Sequence, residues 1–144
     1  MNPPELLETL LQVAELSHGL RLALSAHVRR AAGLTLQQAI ALCRIDLAGG
    51  HITISELAAL LGRASHSVTA LVDNMEREGL VSRLRRDEDR RRVWVQLDPA
   101  GTDKLRLCRN SLQDFVVSTF GRQTDEELRA IKQTVQNLSA FLDR

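Results

Sequence analysis

Apolar residues recur at helical spacing in six stretches of this chain and alternate with polar ones in two. Leu6, Leu10, Val13, Leu16, Leu20 and Leu24 line one face of a long helix, expected from about Pro4 to Ala31 and so ~40 Å long at the usual rise per residue. Gly19 interrupts it at a cost of about 1 kcal/mol relative to alanine, which marks a candidate bend, and Gly33 ends it. Thr35 and Gln38 have the spacing of a capping box, which opens a helix with Leu36, Ala39, Ile40, Cys43 and Leu47 on its inner face; Gly49-Gly50 breaks it. Thr53 and Glu56 repeat the box before Ile54, Leu57, Ala58 and Leu61, and Gly62 is a natural stop. Val68, Leu71, Val72 and Met75 make the next stripe, ended at Gly79. Leu80 to Leu84 and Val93 to Leu97 alternate as half-buried strands do. Asp98 and Pro99 open a helix striped by Leu105, Cys108, Leu112, Phe115 and Val116 and closed at Gly121. Thr124 and Glu127 cap a last helix in which Leu128, Ile131, Val135, Leu138 and Leu142 form a heptad seam.

Two short helices, a strand, an arginine-rich turn and a second strand, in that order over residues 53–98, are the sequence form of a winged helix-turn-helix. The fold class expected is mainly α with a small β-hairpin wing, flanked by N- and C-terminal helices. Such a module places a helix in the major groove of DNA and its wing on the backbone or in the minor groove. The polar face of the second helix carries His66, Thr69, Ala70, Asp73 and Arg77, with Ser67 and Asn74 at its margins. Ser65, Ser67, Thr69 and Asn74 are the candidates for hydrogen bonds to bases or phosphates. His66, at the start of that helix, is either a DNA contact or solvated surface.

Composition sharpens this. At 144 residues and 44% hydrophobic the chain is one domain, or one domain plus dimerisation arms. Trp94, Phe115, Phe120 and Phe141 are its only aromatics, so aliphatic side chains must fill the core. Residues 83–92 hold six arginines against three acids, a local excess of +3 in a chain whose net charge is +1. A basic patch on a near-neutral protein fits a small DNA footprint; a solubilising edge is the alternative. The preference for arginine over Lys104 and Lys132 fits phosphate and guanine pairing, and equally a bias of the genome.

Other chemistry is poorly provided for. Cys43 and Cys108 sit on apolar stripes and read as small core hydrophobes, with a redox switch as the alternative. No Cys-x-x-Cys or His-x-x-x-His spacing suggests a metal. No nucleophile with a paired base and no phosphate-cradling glycine loop suggests an enzyme, and no cofactor is expected. The first residues lack a basic leader pattern, and no apolar run approaches the about 18 residues of a membrane span. The expected location is cytoplasmic.

The segments "ITISELAALLG", "SVTALVDNMEREGLVSR" and "RDEDRRRVWVQLDPAG", with the helical arms on either side, resemble the multiple-antibiotic-resistance regulator (MarR) family of bacterial transcription factors. The core of the likeness runs from Thr53 to Gly101, about a third of the chain, and the rest covers nearly all of it. Asp89 and Arg91 match the family's Asp-x-Arg at the wing tip. The likeness implies that Arg91 enters the minor groove and that Asp89 orients it through a charge-assisted hydrogen bond. Arg86, Arg90 and Arg92 are then phosphate contacts. Leu97-Asp98-Pro99-Ala100-Gly101 matches a second family signature. The chain departs from the pattern at Ala70, where an arginine is common, and at Ala64, where the N-cap is usually serine.

The long amphipathic arms need partners, and a two-fold dimer with interleaved terminal helices is the expected solution. The expected division is an N-terminal dimerisation helix (residues 1–34), a DNA-binding lobe (35–98) and C-terminal dimerisation helices (99–144). Two recognition helices would then meet a pseudo-palindromic site on double-stranded DNA, with half-sites about one turn apart. The likeness also implies sensing: relatives bind small, often anionic aromatic effectors between the dimer helices and the DNA-binding lobe, and release DNA. His18, Arg21 and Arg44 lie on helices that border that cleft in the family, and are the candidate effector contacts. A repressor is the expected mode of action.

Overall fold

The computed structural model describes residues 2–142; Met1, Asp143 and Arg144, the ends of the expected dimerisation segments, lie outside the described residues. Six helices and three strands follow the order α1 (Pro3–Ala32), α2 (Leu36–Leu47), β1 (His51–Thr53), α3 (Ile54–Leu61), α4 (Ser65–Arg77), β2 (Val81–Arg86), β3 (Asp89–Leu97), α5 (Pro99–Phe120) and α6 (Asp125–Leu142). The capping boxes form as the spacing predicts. Thr35 accepts from the Gln38 amide at 3.2 Å, and Thr124 from that of Glu127 at 3.2 Å. A further box at Asn2 and Glu5 opens α1 and has no counterpart in the sequence reading.

α1 runs as one helix through Gly19 and ends at Gly33, whose φ of 68° suits a residue without Cβ. The sequence reading misses β1. This three-residue strand pairs antiparallel with β3 (Ile52 opposite Val95), and β3 pairs antiparallel with β2 on its other side (Val81 opposite Leu97). The wing is therefore rooted in a three-stranded sheet of order β1-β3-β2. So short a strand has no periodicity of its own, and only its partner defines it. β2 and β3 also extend beyond the alternating stretches, because arginines facing solvent on both sides of the ribbon erase the alternation toward the tip.

One core unites these elements: Leu34, Leu42, Ile45, Leu57, Val68, Val72, Met75, Leu80 and Val95 are fully buried. α5 enters it through Leu105 and Cys108. It is tied to α2 by an Arg109–Asp46 ion pair of 2.7 Å, beside which Cys43 is half-buried. Burial pushes the Cys108 thiol above its ordinary pKa, so it behaves as a core hydrophobe and not as a thiolate. Asp98 sits at the N-cap position of α5, as its sequence suggests, but does not cap: its carboxylate accepts from the Ser82 hydroxyl at 2.8 Å and so joins the helix to the sheet.

The arms remain open. Leu6, Leu7, Leu10 and Leu11 of α1, Val116 and Val117 of α5, and Ile131, Val135 and Leu138 of α6 are exposed in the single chain, and α6 buries no residue at all. No described helix is long and apolar enough to cross a membrane.

Candidate nucleic-acid interface

α3 and α4 are held by their ends. Thr53 and Glu56 exchange hydrogen bonds of 3.1 Å at the start of α3. The Thr53 amide, then the Thr53 hydroxyl, hold the Glu56 carboxyl below the usual carboxylate range, and the charge of Arg92 acts in the same direction. Gly62 turns the chain with a φ of 60°. α4 then begins at Ser65, with Ala64 at the N-cap position and no side chain capping it. Ser65, the nearest side chain that could have capped, is already inside the helix.

Val68, Val72 and Met75 anchor α4 in the core. The opposite face leaves Ser65, His66, Ser67 and Ala70 exposed, with Thr69 half-buried. The Thr69 hydroxyl donates to the Ser65 carbonyl at 2.9 Å. Asn74 accepts a short hydrogen bond from the Arg77 guanidinium, which also reaches the Asp73 carbonyl at 3.3 Å. Asn74 would have to leave Arg77 to offer its oxygen to a base.

The wing arginines divide by what they touch. Arg83, counted with the basic patch in the sequence, is spent within the protein on Asp73 at 2.6 Å and Glu76 at 2.5 Å. Burial works against its charge, but the hydrogen bonds it donates to Asp73 and then Glu76 outweigh it and raise its pKa. Arg86 is the second exception: its guanidinium lies 4.0 Å over the Trp94 ring, so it stacks on the sheet. His51 meets that ring too, at 5.6 Å between centroids. Asp89 also differs from expectation. Its carboxylate accepts from the main-chain N–H of Arg91 at 3.1 Å and pairs with the side chain of Arg92 at 3.3 Å. It thus shapes the backbone of the tip, and the side-chain pairing expected with Arg91 goes to Arg92. Arg85, Arg90 and Arg91 are exposed and form no side-chain ion pair among the described residues.

Folding brings α4 and the wing onto one cleft of about 410 Å³, lined by Thr53, Ile54, Ser55, Glu56, Thr69, Arg91, Arg92 and Val93. Ser55 and Glu56 were not among the candidates from the sequence, because only the sheet carries the start of α3 beside the wing.

A second cleft of about 230 Å³ lies between α1, α2 and the α3–α4 turn. Arg21 and Arg44 line it, with Arg63, Gln37, Ile40 and three leucines; His18 does not. Arg63 was not anticipated, since nothing local distinguishes it from other turn arginines. None of the three arginines has an acidic partner among the described residues. Three unpaired guanidiniums on one cleft suit an anionic group. Among the described residues no cluster of three or more His, Cys, Asp or Glu is placed to hold a metal ion.

The sequence model of the MarR family matches residues 34–93. A curated relative, the uncharacterised HTH-type transcriptional regulator YsmB of Bacillus subtilis, is 30% identical over 95 residues. That match covers 66% of this chain and 65% of the relative, so the chain spans just under two thirds of that protein's length. Among solved structures, a MarR mutant from E. coli complexed with operator DNA superposes with a TM-score of 0.72 at 22% identity, covering 90% of this chain and 95% of the other. The organohalide-sensing regulator RdhR-CbdbA1625, in its 2,4-dichlorophenol-bound form, superposes with a TM-score of 0.79 at 22% identity, covering 99% and 86%. At such identities the structural likeness is one of fold.

Proposed function

The chain belongs to the MarR family, and from that premise we propose a transcriptional regulator that binds double-stranded operator DNA as a homodimer. α4 enters the major groove with Ser65, His66, Ser67 and Thr69 toward the bases, and the wing follows the backbone into the minor groove with Arg90, Arg91 and Arg92. Asn74 joins them if Arg77 yields it. Asp89 organises the wing tip, and Arg86 braces the wing while remaining near enough to serve a phosphate. The observation that carries the reading is the cleft shared by Thr69, Arg91 and Arg92, which lets helix and wing address one duplex together. The role is one of binding, with no cofactor and no reaction, exercised in the cytoplasm as a repressor.

The exposed apolar faces of α1, α5 and α6 favour the dimer, with residues 1–34 and 99–144 as its arms and residues 35–98 as the DNA-binding lobe. Removing such faces from water is worth roughly 25 cal/mol per Å², and a two-fold pairing of identical arms is the commonest closed solution. The cleft lined by Arg21, Arg44 and Arg63 favours a small anionic, aromatic-sized effector. Its occupancy would release DNA only if it bound one dimer geometry better than another. His18 stands outside that cleft and would take part only after a rearrangement.

The test is fluorescence anisotropy with a duplex obtained by selection from a random library, over a salt series, against a scrambled duplex. Tight binding to the selected duplex alone, weakening by roughly 0.9 in log–log slope per phosphate neutralised, is the expected result. Equal, weak binding to both duplexes would overturn the reading.

A further inference from the structure

Beyond Trp94 the wing loses its third strand. β1 pairs with β3 only at residues 94–96, so the remainder is a two-stranded ribbon, broken in register between Leu84 and Arg86. A two-stranded ribbon by itself is marginal in water. Its direction relative to α4 must be set near its root, and Arg83 stands there, paired with Val95 on β3.

Arg83 is fastened three times to α4. One guanidinium nitrogen reaches Asp73 at 2.6 Å and the other reaches Glu76 at 2.5 Å. The Arg83 main-chain N–H donates to the second Glu76 oxygen at 3.3 Å. Asp73 and Glu76 lie three residues apart on one helix face, a spacing that the rigid guanidinium fork spans with one nitrogen to each carboxylate, and that a flexible ammonium holds less firmly. The same contacts set one positive charge against the two carboxylates that α4 carries on this face.

We propose that Arg83 is a positioning residue, which sets the angle between wing and recognition helix through Asp73 and Glu76 and makes no phosphate contact of its own. The proposal rests on the DNA-binding reading for its consequence, but not for its mechanics.

The experiment has two arms. In the free protein, amide hydrogen exchange is compared between wild type and Arg83→Gln. Faster exchange in the ribbon beyond Leu84, with α4 amides unchanged, is expected; unchanged ribbon exchange overturns the proposal. With the selected duplex, Arg83→Gln should weaken specific binding about tenfold, the size typical of a coupled ion-pair network, and keep the wild-type salt slope. Arg83→Lys should lie between. In an Asp73→Asn/Glu76→Gln background, Arg83→Gln should cost nothing more, which also probes the contact without relying on one variant's folding. A slope reduced by roughly 0.9 would make Arg83 a phosphate contact, and additive losses would make it independent of the acids; either result overturns the proposal. If wild type fails to discriminate between duplexes, the DNA-binding reading fails and the exchange arm alone decides the role of Arg83.

Discussion

Gly101, in the first turn of α5, packs directly on the main-chain carbonyl of Leu80, at the start of the wing. A Cβ at 101 would lie well inside the radius of that carbonyl oxygen, 3.0 Å from its carbon and 3.4 Å from the Leu42 side chain. The Asp98 amide donates to the same Leu80 carbonyl at 3.0 Å, and Asp98 accepts from Ser82. α5 and the wing thus meet at a backbone-to-backbone joint that tolerates no side chain.

Gly101→Ala should therefore destabilise the fold by about 1–3 kcal/mol, the usual cost of overpacking a close contact. Urea unfolding followed by circular dichroism measures it. Gly101 has no positive φ, so the cost would come from the contact alone. An unchanged midpoint would mean that α5 can slide away from the wing freely.

Arg91→Ala and Arg86→Ala should part company. Arg91 is exposed, and its main-chain N–H, not its side chain, donates to Asp89, so its loss should weaken specific DNA binding by about 1–3 kcal/mol and leave melting unchanged. Arg86 stacks on Trp94, so its loss should cost ~0.5–1 kcal/mol of stability. Anisotropy and thermal melting on both variants separate the two. Equal DNA affinity of Arg91→Ala and wild type would remove Arg91 from the interface.

Leu138→Asp should dissociate the dimer without unfolding the DNA-binding lobe. Leu138 lies on the α6 seam, is exposed in the single chain and is not part of the buried core. In a dimer it would bury a carboxylate among leucines, an arrangement that costs heavily unless the charge is paired. Sedimentation velocity at micromolar concentration reads the result. A variant that still sediments as a dimer would place the interface elsewhere.

Acid should loosen α3. The folded pKa of Glu56 is lowered by its bonds to Thr53. The stability this contributes is complete above the unfolded value of about 4.3 and is lost as pH falls through the lowered folded value. Glu56→Gln keeps a capping partner but cannot titrate, so its urea midpoint should change less between pH 6 and pH 3 than that of wild type. Thr53→Ala removes the cap at all pH values, at about 0.5–2 kcal/mol. Equal acid sensitivity of Glu56→Gln and wild type would show that other carboxylates carry the whole effect.

The helices were legible because their signals are local. Thr35–Gln38, Thr53–Glu56 and Thr124–Glu127 mark starts, Gly33, Gly62 and Gly79 mark stops, and the apolar stripes between them repeat at the helical period. A capping box or a left-handed glycine acts over three or four residues, so it can be read without knowing the fold. The polar face of α4 and the arginine-rich hairpin followed from the same local order.

The sequence by itself thus determined the helices, the winged module and the side chains available to it. Only the tertiary structure decided what each charge does. Arg83 and Arg86 look like Arg90 and Arg91 in the sequence, yet one pairs with Asp73 and Glu76 and the other covers Trp94. β1 exists only because β3 lies beside it, Asp98 reaches Ser82 instead of capping its helix, and Arg63 lines one cleft with Arg21 and Arg44. These are arrangements of residues separated along the chain. A long flexible side chain carries no mark of which neighbour the fold will bring within reach, and ion pairing is decided by distances of a few ångströms that periodicity does not encode.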